Sequence, residues 1–216
     1  MGELNVITIV LIAANVIISY KGFNDYSFLD KYKFQVGAVQ RGEQIRMFSS
    51  GFLHADMQHL LFNMITLYFF ADVVIQLLSP LYFLVIYVGS LFLGSLLSLY
   101  FHKHEYHYSA IGASGAVTGI LYSAILLQPG MTLGLFFIIP IPAYVFGIGY
   151  LLYSIYGMKN RIGNIGHDAH FGGAIGGFLI TLLLSPDLFK TNLLMIGLLA
   201  LPIILLFVLK LSLIHI

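Results

Sequence analysis

The 216-residue sequence contains no cysteine, which excludes disulfides, a thiolate nucleophile and thiolate metal ligands. Charge is almost as scarce. Asp, Glu, Lys and Arg together make up 9% of the chain, against roughly one quarter in soluble domains. The net charge is +1, and no basic cluster interleaved with aromatics points to nucleic acid. No internal repeat is visible, which argues against the inverted halves on which many transporters are built. The N-terminal apolar run has neither a basic leader nor a small-residue cleavage site, so it reads as a span and not as a secretory signal.

What fills the chain is apolar: 59% of the residues are hydrophobic and the mean hydropathy is +0.94. At about 20 residues per span, apolar runs fall at 4–20, 59–78, 81–101, 112–127, 142–157, 168–185 and 188–211. The sequence therefore predicts an all-α, multi-pass integral membrane protein with the lipid bilayer as its solvent. The one long polar stretch, 21–58, carries five of the ten Lys and Arg residues. It is too rich in Phe, Tyr and Met for a disordered linker, so a folded loop at the interface is expected. In Ile139-Pro-Ile-Pro142 the second proline suits the first turn of a helix. The fifth span is expected to start there, leaving 131–139 as an extended or re-entrant piece packed against protein.

Polar groups are costly inside lipid and are the places to look for function. Ser114 opens the fourth apolar run between Gly112 and Gly115, with Gly119 one turn beyond. Taken alone, this is a small-residue packing face. His170 opens the sixth run, with Gly173 and Gly177 on its helical face, and taken alone it is a structural histidine. Together they say more, because small residues on both helices let the serine hydroxyl approach an imidazole, the neighbour that makes it nucleophilic. His59 and Asn63 share a face of the second run; both are neutral donors suited to an oxyanion, or to helix capping and interhelical bonds. His54 is read as ordering the loop beside them. His102, His104 and His107 are read as solvated loop histidines and not as a metal site, since their spacing fits no zinc signature. Asp168 lies two residues before His170 on another helical face, and is read as an early-turn acid favoured by the helix dipole.

On the second, fourth and sixth runs in turn, His54-x4-His59-x3-Asn63, Gly112-Ala-Ser-Gly115 and Ala169-His170-x-x-Gly173-x-x-x-Gly177 resemble the rhomboid intramembrane serine proteases. The stretch from Arg41 to Asp56 and Ile139-Pro-Ile-Pro-Ala143 are similar to rhomboid loop segments, so the resemblance covers about 7–185. It implies a six-helix catalytic core at 1–187, with the folded loop 21–58, and an extra C-terminal transmembrane helix at 188–216. It implies cleavage of single-span transmembrane protein substrates with no metal and no cofactor. Ser114 would be the nucleophile and His170 the base, while His59, Asn63 and the Ser114 amide would form the oxyanion hole, supported by Gly112 and His54. Gly115, Gly119, Gly173 and Gly177 would serve helix packing.

Two positions depart from the family pattern. Ile45 stands where a tryptophan commonly precedes the loop arginine, here Arg46. Thr118 stands where many relatives carry a tyrosine that supports the catalytic histidine. These departures keep a second reading open, a rhomboid-like protein that binds transmembrane helices without cutting them. The family arrangement implies a cell-membrane protein with a cytoplasmic N-terminus and a site opening to the non-cytoplasmic side. It puts nine of the ten Lys and Arg residues outside or on the C-terminal tail, against the positive-inside rule.

Overall fold

The computed structural model describes residues 5–135, 139–160 and 166–214. Helix α1 (Val6–Asn24) starts at Asn5, whose side chain accepts the Ile7 amide, and ends four residues past the expected 4–20 run. The polar stretch that follows is folded. It contains α2 (Tyr26–Tyr32), β1 (Phe34–Gln35), α3 (Val36–Gln40), α4 (Arg46–Ser49) and a 3₁₀ turn at Ser50–Phe52. Phe34, Val36, Val39 and Met47 give it a small core of its own. Arg46 latches it, donating to Glu43 at 2.7 Å and to the carbonyls of Asp30 and Lys33 at 2.7 and 3.0 Å.

Helices α5 (Met57–Leu77) and α6 (Pro80–Phe101) follow. Asp56 caps the first through the His59 amide, and Ser79 with Pro80 starts the second, each supplying an acceptor or a missing donor where a helix start has spare N–H groups. With α1, they are long and apolar enough to cross a bilayer by length and composition. After β2 (Ser109–Ala110) comes α7 (Ser114–Leu127). Its 14 residues span about 21 Å, less than the roughly 30 Å hydrocarbon core. Residues 115–126 are all buried, so α7 is a short central helix enclosed by its neighbours.

The segment expected to be an extended or re-entrant piece is extended and forms a hairpin. Strand β3 (Thr132–Leu135) pairs antiparallel with β4 (Ile139–Pro142); residues 136–138 lie outside the described set, as does most of the connection 159–167. Pro142 is therefore not a helix start. It sits opposite Thr132 in the two-stranded ribbon, an edge position where the absent N–H costs no ladder bond, and Thr132, Gly134, Ile139 and Pro140 are exposed. Helix α8 (Ala143–Asn160) begins one residue later, followed by α9 (His167–Leu184), the single turn α10 (Leu188–Thr191) and α11 (Leu193–Ile214). Helix α11 lies against α8 and α9.

The tightest packing joins α6, α7 and α9, and glycine is the reason. On α9, Gly173 and Gly177 lie against the backbone of Gly115 and Gly119 in α7, while Gly172 and Gly176 meet α6 at Leu93 and Ser90. Gly94 of α6 and Gly115 of α7 both close on the Ala169 carbonyl, which a β-carbon would approach to 2.7 and 3.0 Å. Without side chains between them, the helices reach backbone contact, a packing mode suited to lipid, where dispersion replaces the hydrophobic effect.

Candidate active site

Ser114 is the first residue of α7 and His170 lies in the first turn of α9. Glycine contact between the two helices brings Ser114 Oγ to 2.7 Å from His170 Nε2. The pair opens into a cavity of about 690 Å³ whose lining includes His59, Asn63, Gly112, Thr118 and Tyr150. The N-cap of α7, Ala113, supplies no capping side chain. The positive end of the helix therefore begins at the nucleophile itself.

The approach to Ser114 is held from the first loop. Strand β1 pairs with β2, putting Phe34 opposite Ala110 and Gln35 opposite Ser109. The Gly112 amide donates to the Ser50 carbonyl at 3.0 Å. Gly112 has φ +133°, a region that disfavours any β-carbon, and a β-carbon there would also sit 2.7 Å from the His59 ring. That contact places the His59 imidazole beside the serine. Asn63 is buried and donates one amide hydrogen to the His59 carbonyl at 3.0 Å, keeping its other for the cavity it lines.

His54 points elsewhere. Ser19 Oγ donates to the Phe52 carbonyl at 3.0 Å, so its contact with His54 Nδ1 at 2.8 Å must be accepted from the ring. His54 Nε2 is then free to accept the Ala113 amide at 3.4 Å. The histidine thus fixes the backbone just before Ser114 and has no N–H left for an oxyanion. Burial, with His59 close by, pulls its ionisation down to about 3, so it stays neutral.

Asp168 does not reach His170. It accepts from the Tyr108 hydroxyl at 3.0 Å, and His102 Nε2 is 3.7 Å away. His102 stacks on Tyr108 with ring centroids 3.5 Å apart, while His104 and His107 are exposed. Burial and the Asp168 carboxylate push the Tyr108 phenol well above its ordinary value, so it remains a donor that ties the loop to the start of α9.

One contact has no counterpart in the motifs. Tyr150 of α8 places its hydroxyl 2.7 Å from His170 Nδ1 and stacks its ring on the imidazole, centroids 5.5 Å apart at 25°. Its only signal in the sequence is a polar-tipped aromatic inside an apolar run. Thr118 lines the same cavity, its hydroxyl donating to the Ser114 carbonyl at 2.7 Å.

A serine hydroxyl in contact with an imidazole at the wall of a cavity is an arrangement in which the hydroxyl can be made nucleophilic. Comparison with known proteins gives the family. The family model described as the Rhomboid domain matches residues 41–187. The chain is 30% identical over 184 residues to "RHOMBOID-like protein 12, mitochondrial" of Arabidopsis thaliana, covering 78% of this chain and 55% of that protein. It is 31% identical to "Rhomboid protein 1, mitochondrial" of Saccharomyces cerevisiae, covering 63% and 40%. It is also 31% identical to "Putative rhomboid protease YdcA" of Bacillus subtilis, covering 67% and 69%. The chain thus spans about half the length of the first two relatives. It belongs to the rhomboid family and is an integral membrane protein.

Proposed function

We propose that this chain is an intramembrane serine endopeptidase that cuts single-span membrane proteins with a Ser114–His170 dyad. The observation that carries the reading is the 2.7 Å contact between Ser114 Oγ and His170 Nε2 at the floor of the cavity. Ser114 Oγ attacks the scissile carbonyl carbon as His170 Nε2 takes its proton. His59, the second Asn63 amide hydrogen and the Ser114 backbone N–H donate to the oxyanion, where one donor is worth about 3 kcal/mol. The imidazolium then gives its proton to the leaving amine, and the ester left on Ser114 is hydrolysed by a water that His170 deprotonates.

A substrate helix keeps its carbonyls in its own hydrogen bonds, so it must unwind locally before Ser114 can attack. Substrates with small or helix-weakening residues near the cut are favoured. In this reading residues 1–187 are the catalytic core and 188–216 an appended helix, in a cell membrane, with the cavity opening to the non-cytoplasmic side.

The test is cleavage of a single-span substrate in proteoliposomes by wild type, Ser114→Ala and His170→Ala. Cleavage that both substitutions abolish is the expected result. A folded wild type that cuts none of several substrates and takes no fluorophosphonate label at Ser114 would leave the helix-binding reading in its place.

A further inference from the structure

Two tyrosines tie α8 to the helices that carry Ser114 and His170. Tyr122 lies on α7, about two turns past Ser114, and is fully buried. Its hydroxyl donates to the Gly147 carbonyl of α8 at 2.9 Å. Gly147 makes the approach possible, since a β-carbon there would sit 2.9 Å from Ile125 Cδ1 and 3.6 Å from the Tyr122 ring. Tyr150 is three residues further on, one turn along α8. Its hydroxyl is 2.7 Å from His170 Nδ1, and its ring stacks on the imidazole. The path from Ser114 along α7 to Tyr122, across to Gly147, along α8 to Tyr150 and on to His170 closes on itself through the 2.7 Å contact between His170 Nε2 and Ser114 Oγ.

A buried phenol needs a partner for its O–H, because leaving the donor unmade in apolar surroundings costs more than the bond itself contributes. A carbonyl oxygen can only accept, so the Tyr122 proton points at Gly147 and sets the place of α8 against α7. That setting matters because α8 stands outside the tightly packed group of α6, α7 and α9. At the other end, the bond and the stack from Tyr150 hold the His170 ring whichever nitrogen carries its proton at rest. Once Ser114 has given up its proton, the imidazolium carries a hydrogen on both nitrogens. Nδ1–H then has the Tyr150 oxygen to accept it, the partner that a buried cation requires.

We propose that Tyr122 and Tyr150 are positioning residues that place His170 from α8: Tyr122 fixes α8 on the helix of the nucleophile, and Tyr150 carries that placement to the imidazole. The inference rests on the protease reading of the same site. It makes the dyad conditional on a third helix. Ser114 and His170 sit on helices in backbone contact, yet the His170 ring is held from α8, which also walls the cavity through Phe146, Tyr150 and Tyr153. A shift of α8 away from α7 draws Tyr150 off His170 and slows the attack even where the cavity is filled.

The test measures kcat and KM on a single-span substrate in proteoliposomes, together with the rate of fluorophosphonate labelling of Ser114, for Tyr150→Phe, Tyr122→Phe and the double variant. Tyr150→Phe keeps the stacked ring and is expected to lower kcat by about 10- to 100-fold with KM unchanged, the scale of one hydrogen bond to a charged group. Labelling should slow by a similar factor, because it too draws on His170 as base. Tyr122→Phe keeps the ring in its slot and is expected to lower kcat and labelling by about fivefold, one neutral hydrogen bond's worth, from a position about 12 Å along α7 from Ser114. The double variant is expected to be no slower than Tyr150→Phe, because Tyr122 acts only through Tyr150. If Tyr122→Phe fails to fold, Gly147→Ala, whose β-carbon presses on Ile125, displaces α8 at the same joint and is expected to lower kcat in the same way. Wild-type kcat in Tyr150→Phe or in Tyr122→Phe, a loss confined to KM, or a double variant whose loss is the product of the two single losses would overturn placement from α8 while leaving the protease reading intact. A wild type that neither cleaves nor labels would overturn both.

Discussion

Gly173 of α9 lies against Gly115 of α7 so closely that a side-chain carbon at Gly173 would occupy the space of the Gly115 carbonyl. Gly115 follows Ser114, and Gly173 is one turn beyond His170. The contact that closes the helix pair therefore also sets the distance between Ser114 and His170.

Substitution of Gly173 or Gly177 by alanine is expected to push α9 away from α7, since Gly177 meets the Gly119 backbone in the same way. Overpacking of this kind costs about 1–3 kcal/mol, and a shift of a few tenths of an ångström across the Ser114–His170 bond should reduce cleavage at least tenfold. Gly149 of α8, where a β-carbon would meet nothing within 4 Å, is the control. Its alanine variant should match wild type in both thermal midpoint and turnover.

His59 and Asn63 share one cavity wall with Gly112. Alanine at either is expected to lower kcat by about 100-fold while altering KM little, as for an oxyanion donor that acts in the transition state. Gly112→Ala should be worse than either, because it meets both a positive φ and the His59 ring. Single-turnover cleavage separates these outcomes from a defect in substrate entry.

The helices were legible because bilayer thickness imposes a length on every apolar run. Each of the seven runs overlaps a helix of the structure, and among the described residues α1, α5 and α6 are long and apolar enough to cross a bilayer. Ser114 and His170 were legible only as a pair: each alone reads as a packing or structural residue, and it is the small residues on both helices that let the two side chains approach. Tyr150 was not. It is one of 14 tyrosines, and its partner His170 belongs to a different helix, so only tertiary packing reveals the bond. Pro142 misled because its ring suits a helix start and an edge strand equally well, and the choice between them was made by pairing with Thr132. The two-residue strands β1 and β2 are too short to carry any periodicity. The stitching of the first loop to the segment before Ser114 was thus invisible in the sequence.

Arg46 is buried and bonds one carboxylate and two carbonyls across the first loop. Arg46→Ala would leave the Asp30 and Lys33 carbonyls without this donor, at a cost of about 1–3 kcal/mol. Limited proteolysis is expected to cut the variant within residues 26–46 much faster than wild type. Lysine should rescue poorly, since a point-like ammonium cannot match the guanidinium fork. Ile45, 63% exposed, touches none of this network, and Ile45→Trp should leave the loop's protease resistance unchanged.

His54 gives the fold a pH dependence with a definite sign. Its ionisation is pulled from 6.5 to about 3 by burial first and by His59 second, with Asp56 opposing. The folded protein therefore holds His54 neutral while the unfolded chain protonates it below about 6.5, the ordinary histidine value. Stability from this residue is fully present above that pH and is lost as the pH falls from about 6.5 toward 3, because the unfolded state then binds the extra proton. Protonation would also remove the Nε2 lone pair that accepts the Ala113 amide, loosening the backbone ahead of Ser114. His54→Gln, which can take up no proton, is expected to have a lower thermal midpoint at pH 7.5 and a shallower decline between pH 6.5 and 4.5 than wild type. Parallel declines for the two proteins would show that other groups carry the acid sensitivity.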